Sequence, residues 1–242
     1  MQGSVRVLST LALAGAVGAL AERYRAKSGV RIDADFAPTV RLLERLKEGE
    51  TADVLILTDE GLAGLISDGN VIPESRVDVA RSWVGLAVAA GRPLPDISTE
   101  AALRATLLAA RSVAYSRLGA SGIFFAQLIA KMGIEKEINH RATVVPMGFT
   151  AERVVAGDAD VAIQQISELK QVEGIEIVGP LPQHLQTPAV FSAGRMAGSK
   201  QIAASDLLLT FLCSPEATPA LLESGLERLG QAREERTRCR SD

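Results

Sequence analysis

Short apolar runs recur along the chain, each followed by Ser or Thr and then by apolar positions three and four apart. The first is Val5-Arg6-Val7-Leu8, a predicted strand, with Ser9-Thr10 at the turn that follows. A helix is predicted over residues 11–27, with Leu13, Val17, Leu20 and Tyr24 on one side and Glu22, Arg23 and Arg25 near its end. Residues 30–36 alternate in the manner of a strand. Pro38-Thr39 then leads into a helix carrying Val40, Leu42, Leu43 and Leu46 on one side and ending at Gly49. Residues 53–57 form a near-continuous apolar run, as a buried parallel strand requires. Thr58-Asp59-Glu60 opens a helix carrying Leu62, Leu65 and Ile66. Strands alternating with helices indicate α/β architecture with a parallel sheet.

A second set of such units follows. Residues 83–90 are an apolar strand ended by Gly91-Arg92-Pro93-Leu94-Pro95, and Ser98-Thr99 can cap a helix through Leu103, Leu107 and Leu108. Residues 112–115 form a strand, residues 116–122 a small polar loop, and residues 123–132 an apolar helix closed by Gly133. Residues 142–146 read as a strand, with Gly148-Phe149-Thr150 leading into a helix around Val154 and Val155. Residues 160–165 form a strand that ends on two amides, and Ser167-Glu168 opens a short helix. Gly179-Pro180-Leu181-Pro182 breaks the pattern before a strand over residues 187–193. A helix over residues 202–213, another capped by Ser214-Pro215-Glu216, and a charged tail over residues 234–242 complete the chain. One strand leads into the second set and another leads back. The order predicts two α/β lobes joined by two hinge strands: residues 1–83 with 190–242 as the first, and residues 84–189 as the second.

Composition narrows the function. With 47% hydrophobic and 23% charged residues among 242, the chain buries a sizeable core. Aromatic residues at 4% and a net charge of −3 leave no basic or stacking surface, which argues against nucleic-acid partners. Cys213 and Cys239 match no metal motif, and sequence alone does not establish whether they pair. His140 and His184 stand far apart, and Asp53 falls at the opposite end of its strand from Asp59 and Glu60, so no metal site is expected. Walker A, nucleophile-elbow and dinucleotide fingerprints are absent, and no cofactor is expected. Residues 11–21 can pass for a signal-peptide core after Arg6, but are too short to span a membrane. The structural helix is the preferred reading. It leaves two locations: periplasmic if a leader has been removed, cytoplasmic if the chain as written is complete.

Ligands of such sheets sit beyond the carboxyl ends of the strands. Ser9, Thr39, Thr58, Ser116, Ser121, Thr150 and Ser167 all fall there. Each singly is more readily a helix cap than a ligand contact, but recurrence in both halves points to a cleft lined by hydroxyls. The helix after Gly119 leaves its first N–H groups free at the positive end of its dipole, and Arg117 adds a full charge beside them. Such a lining suits a small anion. With Gln164 and Gln165, Arg117 shifts the choice towards a carboxylate, because a guanidinium pairs with carboxylate in bidentate fashion. The alternative is that Arg117 points outward or pairs with Asp160 or Glu168.

Residues 5–10, 47–54, 120–122, 156–162 and 211–217, in that order and spacing, resemble the type II periplasmic solute-binding proteins, specifically the molybdate-binding branch. The resemblance covers nearly the whole chain. It implies two lobes that close on a ligand, and an ABC-transporter membrane component as partner if the protein is exported. The molybdate binders' hydroxyls match Ser9, beside Thr10, and Thr39; their second-lobe N–H groups match Ser121, at Ala120-Ser121-Gly122, and roughly Phe149-Thr150. A tyrosine common in that site matches Gln165. Some chains of this architecture resemble aconitate isomerases, which shift a double bond within a tricarboxylate. That activity needs a proton carrier, for which Glu168, Tyr115 and Asp59 are the candidates.

Overall fold

The protein is seen in a computed structural model, which describes residues 3–229. The chain runs β1 Ser4–Ser9, a 3-10 turn Leu11–Leu13, α1 Ala14–Ser28, β2 Arg31–Phe36, α2 Thr39–Lys47, β3 Val54–Thr58, α3 Asp59–Ser67 and β4 Val77–Ser82. The second part runs β5 Val84–Ala89, α4 Glu100–Ala109, β6 Val113–Tyr115, α5 Ala120–Lys131, α6 Glu135–His140, β7 Thr143–Val144, α7 Ala151–Val155, β8 Val161–Gln165, α8 Ile166–Leu169 and β9 Ile175–Pro180. It then returns through β10 Ala189–Arg195, α9 Ile202–Leu212, α10 Thr218–Glu223 and β11 Glu227–Arg228.

These strands form two sheets, ordered β11-β4-β10-β3-β1-β2 and β7-β6-β8-β5-β9. Each sheet is the centre of one lobe of a two-lobed type II periplasmic-binding-protein fold. The chain crosses between the lobes at Trp83, from β4 to β5, and returns between β9 and β10. Both sheets are mixed, whereas alternation of strands and helices predicted parallel ones. β1 pairs parallel with β2 and β3, but β10 runs antiparallel to β3 and β4, and β5 antiparallel to β8 and β9. The physical reason is the double crossing: a strand arriving from the other lobe enters its sheet in the reverse direction. The second sheet is completed by β9, which sequence reading left out because Gly179 and Pro180 look like breakers at its end. Strands β4 and β11 and helix α6 were likewise unpredicted.

Helix α1 is part of the first lobe's core. Ala16, Val17, Leu20 and Tyr24 pack with Val5 and Val7 of β1 and with Phe211 and Leu212 of α9. Tyr24 also donates from its hydroxyl to the Ala204 carbonyl at 2.7 Å. Tyr115 and Phe125 meet edge-on in the second lobe's core, their ring centroids 5.1 Å apart. Cys213 is buried; its pairing with Cys239, and the charged tail, lie outside the described residues. Among the described residues no helix is long and apolar enough to cross a membrane.

Candidate functional site

Three helix N-termini converge between the lobes. Thr10 precedes the 3-10 turn that leads into α1, Pro38 precedes α2, and Gly119 precedes α5; none of these ends carries a side-chain cap. By contrast, the Thr58 hydroxyl caps α3 and the Thr99 hydroxyl caps α4, accepting from Gly61 at 3.4 Å and Ala102 at 3.1 Å. Thr10, Pro38 and Thr39 of one lobe face Ser116, Gly119, Ala120 and Gly148 of the other across a shared cavity. None of the residues lining it is Lys or Arg. Positive partial charge is supplied instead by free N–H groups, a helix end carrying roughly half an elementary charge. The free space at its centre is about 10 Å³, room for about one water, so a larger ligand enters only when the lobes part.

The strand end Gln164-Gln165 builds the second lobe's wall. The Gln164 Oε1 accepts from the Thr150 N–H at 2.8 Å and from its hydroxyl at 3.0 Å, while Nε2 donates to the Gly148 carbonyl at 3.2 Å. Gln164 thus braces the loop that supplies Gly148 to the cavity. The Gln165 amide faces the Ser82 and Trp83 carbonyls, and its nitrogen is assigned to that side because both neighbours accept, at 3.2 Å each. The Gln165 backbone N–H donates to the Glu168 carboxylate at 3.2 Å, forming a capping box at the start of α8.

Glu168 is buried at 6% exposure and is the one carboxyl among the residues lining the cavity. Burial pushes its carboxyl up to about 7, and hydrogen bonds from the Gln165 backbone and the Gln164 side chain offset only part of that rise. Such a group holds or releases a proton near neutrality, as a general acid or base must.

Of the residues singled out from sequence, Thr10, Thr39, Ser116 and Gln165 line this cavity. Ser9 is fully buried and its hydroxyl donates to the Thr10 carbonyl at 3.1 Å, so the cavity-lining hydroxyl after β1 is Thr10. Thr58 caps α3, and its N–H donates to the Thr39 hydroxyl at 3.2 Å; it lines a neighbouring groove. Ser121 and Gly122 are buried in the first turn of α5, outside the lining. Gly122 has a steric role: a Cβ there would lie 1.4 Å from the Ser116 carbonyl oxygen. Thr150 is fully buried against Gln164.

Arg117 is exposed, lies outside the lining, and makes no hydrogen bond or ion pair among the described residues. Asp160 pairs with Arg111 instead, at 3.2 Å. Of the other candidate proton carriers, Tyr115 donates its hydroxyl to Asn139 and Asp59 is ion-paired with Arg76; neither lines the cavity. Sequence reasoning missed Pro38, Gly148 and Phe191 in the lining, because loop backbone and an aromatic from the returning strand carry no local signature. The Gln165-x-x-Glu168 spacing was a usable signal for the capping box.

The family model of the bacterial extracellular solute-binding proteins matches residues 5–227. A relative described as aconitate isomerase, from a Pseudomonas species, is 34% identical over 230 residues, 93% of this chain and 87% of that protein. Among solved structures, the periplasmic molybdate-binding protein of Azotobacter vinelandii superposes with a TM-score of 0.80 at 18% identity, covering 94% of this chain and all of the other (100%). The sulfate-binding protein of Mycobacterium tuberculosis superposes with a TM-score of 0.75 at 18% identity, covering 95% and 88%. At such identities these structures speak for the fold. With the family model spanning nearly every described residue, the chain belongs to the bacterial extracellular solute-binding protein family.

Proposed function

We propose that the interlobe cavity binds a small polycarboxylate and that Glu168 moves a proton between two of its carbons, as in the isomerisation of aconitate. The single observation behind this reading is Glu168: a carboxyl lining an otherwise uncharged cavity, with burial holding it close to neutral pH in its titration. The ionised carboxylate takes a proton from the methylene of a propene tricarboxylate. The electron pair spreads over the allyl system into the flanking carboxylates, and the protonated Glu168 returns the proton to the other terminal carbon. The double bond moves, and no co-reactant is consumed. The uncapped N-termini near Thr10, Pro38 and Gly119 supply fixed partial charges for the negative charge that develops. The aconitate isomerase relative supports the same reading.

A second reading is a binder without turnover for a compact oxyanion, in which an ABC-transporter membrane component would be the partner. It is favoured by the lack of Lys or Arg in the lining, since neutral donors suffice for a tetrahedral oxyanion. Proton NMR of trans-aconitate in deuterated buffer separates the two. Isomerisation predicts appearance of the cis isomer, lost in Glu168→Gln. No conversion, together with stabilisation by molybdate or sulfate alone, sinks the isomerase. At ligand about 100 times its Kd, binding stabilises by about 2.7 kcal/mol.

A further inference from the structure

Beside the polar cavity lies a larger groove of about 500 Å³, also between the lobes. The two share Thr39 and Ala120 in their linings, so the groove adjoins the cavity across these two residues. Its chemistry is different. Val40 and Leu43 of α2 form one wall, and Leu118 in the loop before α5 with Ile123 and Phe124 in its first turns forms the other, with Glu60 the one charged residue among those lining it. Ile123 is 42% exposed, while Phe125, Leu128 and Ile129 of the same helix are seated in the second lobe's core. Leu43 and Phe124 sit at the edges of the two cores, where water against apolar surface is unfavourable and an apolar occupant is favoured.

From this juxtaposition we infer that the protein recognises acids carrying an apolar arm, with the carboxylates among the helix N-termini and the arm between α2 and α5. The inference rests on the proposal that the cavity takes carboxylates, and it adds the class of ligand: alkyl- or aryl-substituted di- and tricarboxylates. Only Thr39 and Ala120, both small side chains, are common to the two linings, so an arm would pass from one to the other over them when the lobes part. Lobe closure would then press Val40 and Leu43 onto the arm from one side and Ile123 onto it from the other.

Titration calorimetry of the whole chain with succinate and benzylsuccinate tests this. Benzylsuccinate is expected to bind at least tenfold more tightly than succinate. Val40→Ser and Ile123→Ser, one on each wall and neither among the residues lining the polar cavity, are each expected to cut that preference at least threefold. Succinate affinity should stay within twofold of the parent. Equal affinity for both acids, or a preference untouched by both variants, overturns the apolar arm while leaving the carboxylate site standing. Absence of binding by either acid overturns the carboxylate site and the arm with it.

Discussion

Gln165 joins the titrating group of the cavity to the crossing between the lobes: its backbone N–H donates to Glu168 at 3.2 Å, and its side-chain amide reaches the Ser82 and Trp83 carbonyls. The Ile166 N–H donates to the same Trp83 carbonyl at 2.9 Å. The first turn of α8 is therefore fixed to the hinge at the point where its third residue, Glu168, lines the cavity. Opening or closing the lobes at Trp83 moves the strand end that holds this carboxyl.

Glu168 makes stability depend on pH. Its carboxyl titrates at about 7 in the folded protein against 4.5 ordinarily, so between those values the folded state binds more protons than the unfolded one. Stability is complete below the ordinary value and is lost as pH rises through the folded one, by up to about 3 kcal/mol. Glu168→Gln keeps a side chain suited to the capping box but cannot ionise. Its melting temperature should match the parent at pH 4 and exceed it by several degrees at pH 8. A difference that is flat across that range contradicts the burial argument.

Gln165→Ala leaves the backbone donor to Glu168 in place and removes the amide that faces two hinge carbonyls. The Trp83 carbonyl keeps the Ile166 N–H, so the loss falls on the Ser82 carbonyl and on the side-chain half of the capping box; each lost hydrogen bond costs about 0.5–1.5 kcal/mol, which urea denaturation would register. Trp83 donates its indole N–H to Glu227 at 2.8 Å and is the chain's single tryptophan, so its emission reports on the hinge directly. A shifted emission in the folded variant is expected; an unchanged spectrum with unchanged stability would show that the amide does not brace the hinge.

Much of the fold was legible because its first lobe repeats one local phrase. Residues 5–8, 30–36 and 53–57 alternate or run apolar as β1, β2 and β3 do, and the intervening helices follow their apolar faces. Strand β4 was not legible: Val77-Asp78-Val79-Ala80-Arg81-Ser82 carries Asp78 and Arg81, satisfied by the Ser192 hydroxyl and by Glu227, partners that lie far off in sequence. The site divided the same way. Thr10, Thr39 and Ser116 were legible from their place after strands. Arg117 was the natural anion anchor by charge, yet nothing local to a sequence says which way a loop side chain faces. Glu168 stood among three carboxyl or phenol candidates until burial and the lobe arrangement set it apart.

Gly122 tests how closely α5 must approach the loop before it. The Ser116 hydroxyl accepts from the Leu118 and Gly119 N–H groups at 3.2 and 3.3 Å, and this turn brings the Ser116 carbonyl onto the helix at Gly122. A methyl there overlaps backbone rather than a movable side chain. Gly122→Ala should destabilise by about 1–3 kcal/mol or more and should weaken ligand binding through displacement of Gly119 and Ala120. Wild-type melting and wild-type ligand-induced stabilisation in that variant would mean the turn relaxes freely.

Two substitutions three residues apart decide whether the site is charged by a side chain or by the backbone. Arg117 is exposed and outside the cavity lining, so Arg117→Ala should change the Kd of a bound acid by less than threefold at about 0.15 M salt, where salt screens exposed charges. Ala120 is the first residue of α5 and lines the cavity, and its N–H has no partner among the described residues. Proline is tolerated at that position, and Gly119 at φ −77° and ψ 152° already has the extended geometry that a following proline demands. Ala120→Pro therefore deletes one donor with little cost to the helix. A hydrogen bond to a charged acceptor contributes about 1.5–3 kcal/mol, so affinity should fall about tenfold or more while the melting temperature of the free protein holds. The reverse outcome, a large loss with Arg117→Ala and none with Ala120→Pro, would return the anchor to the guanidinium.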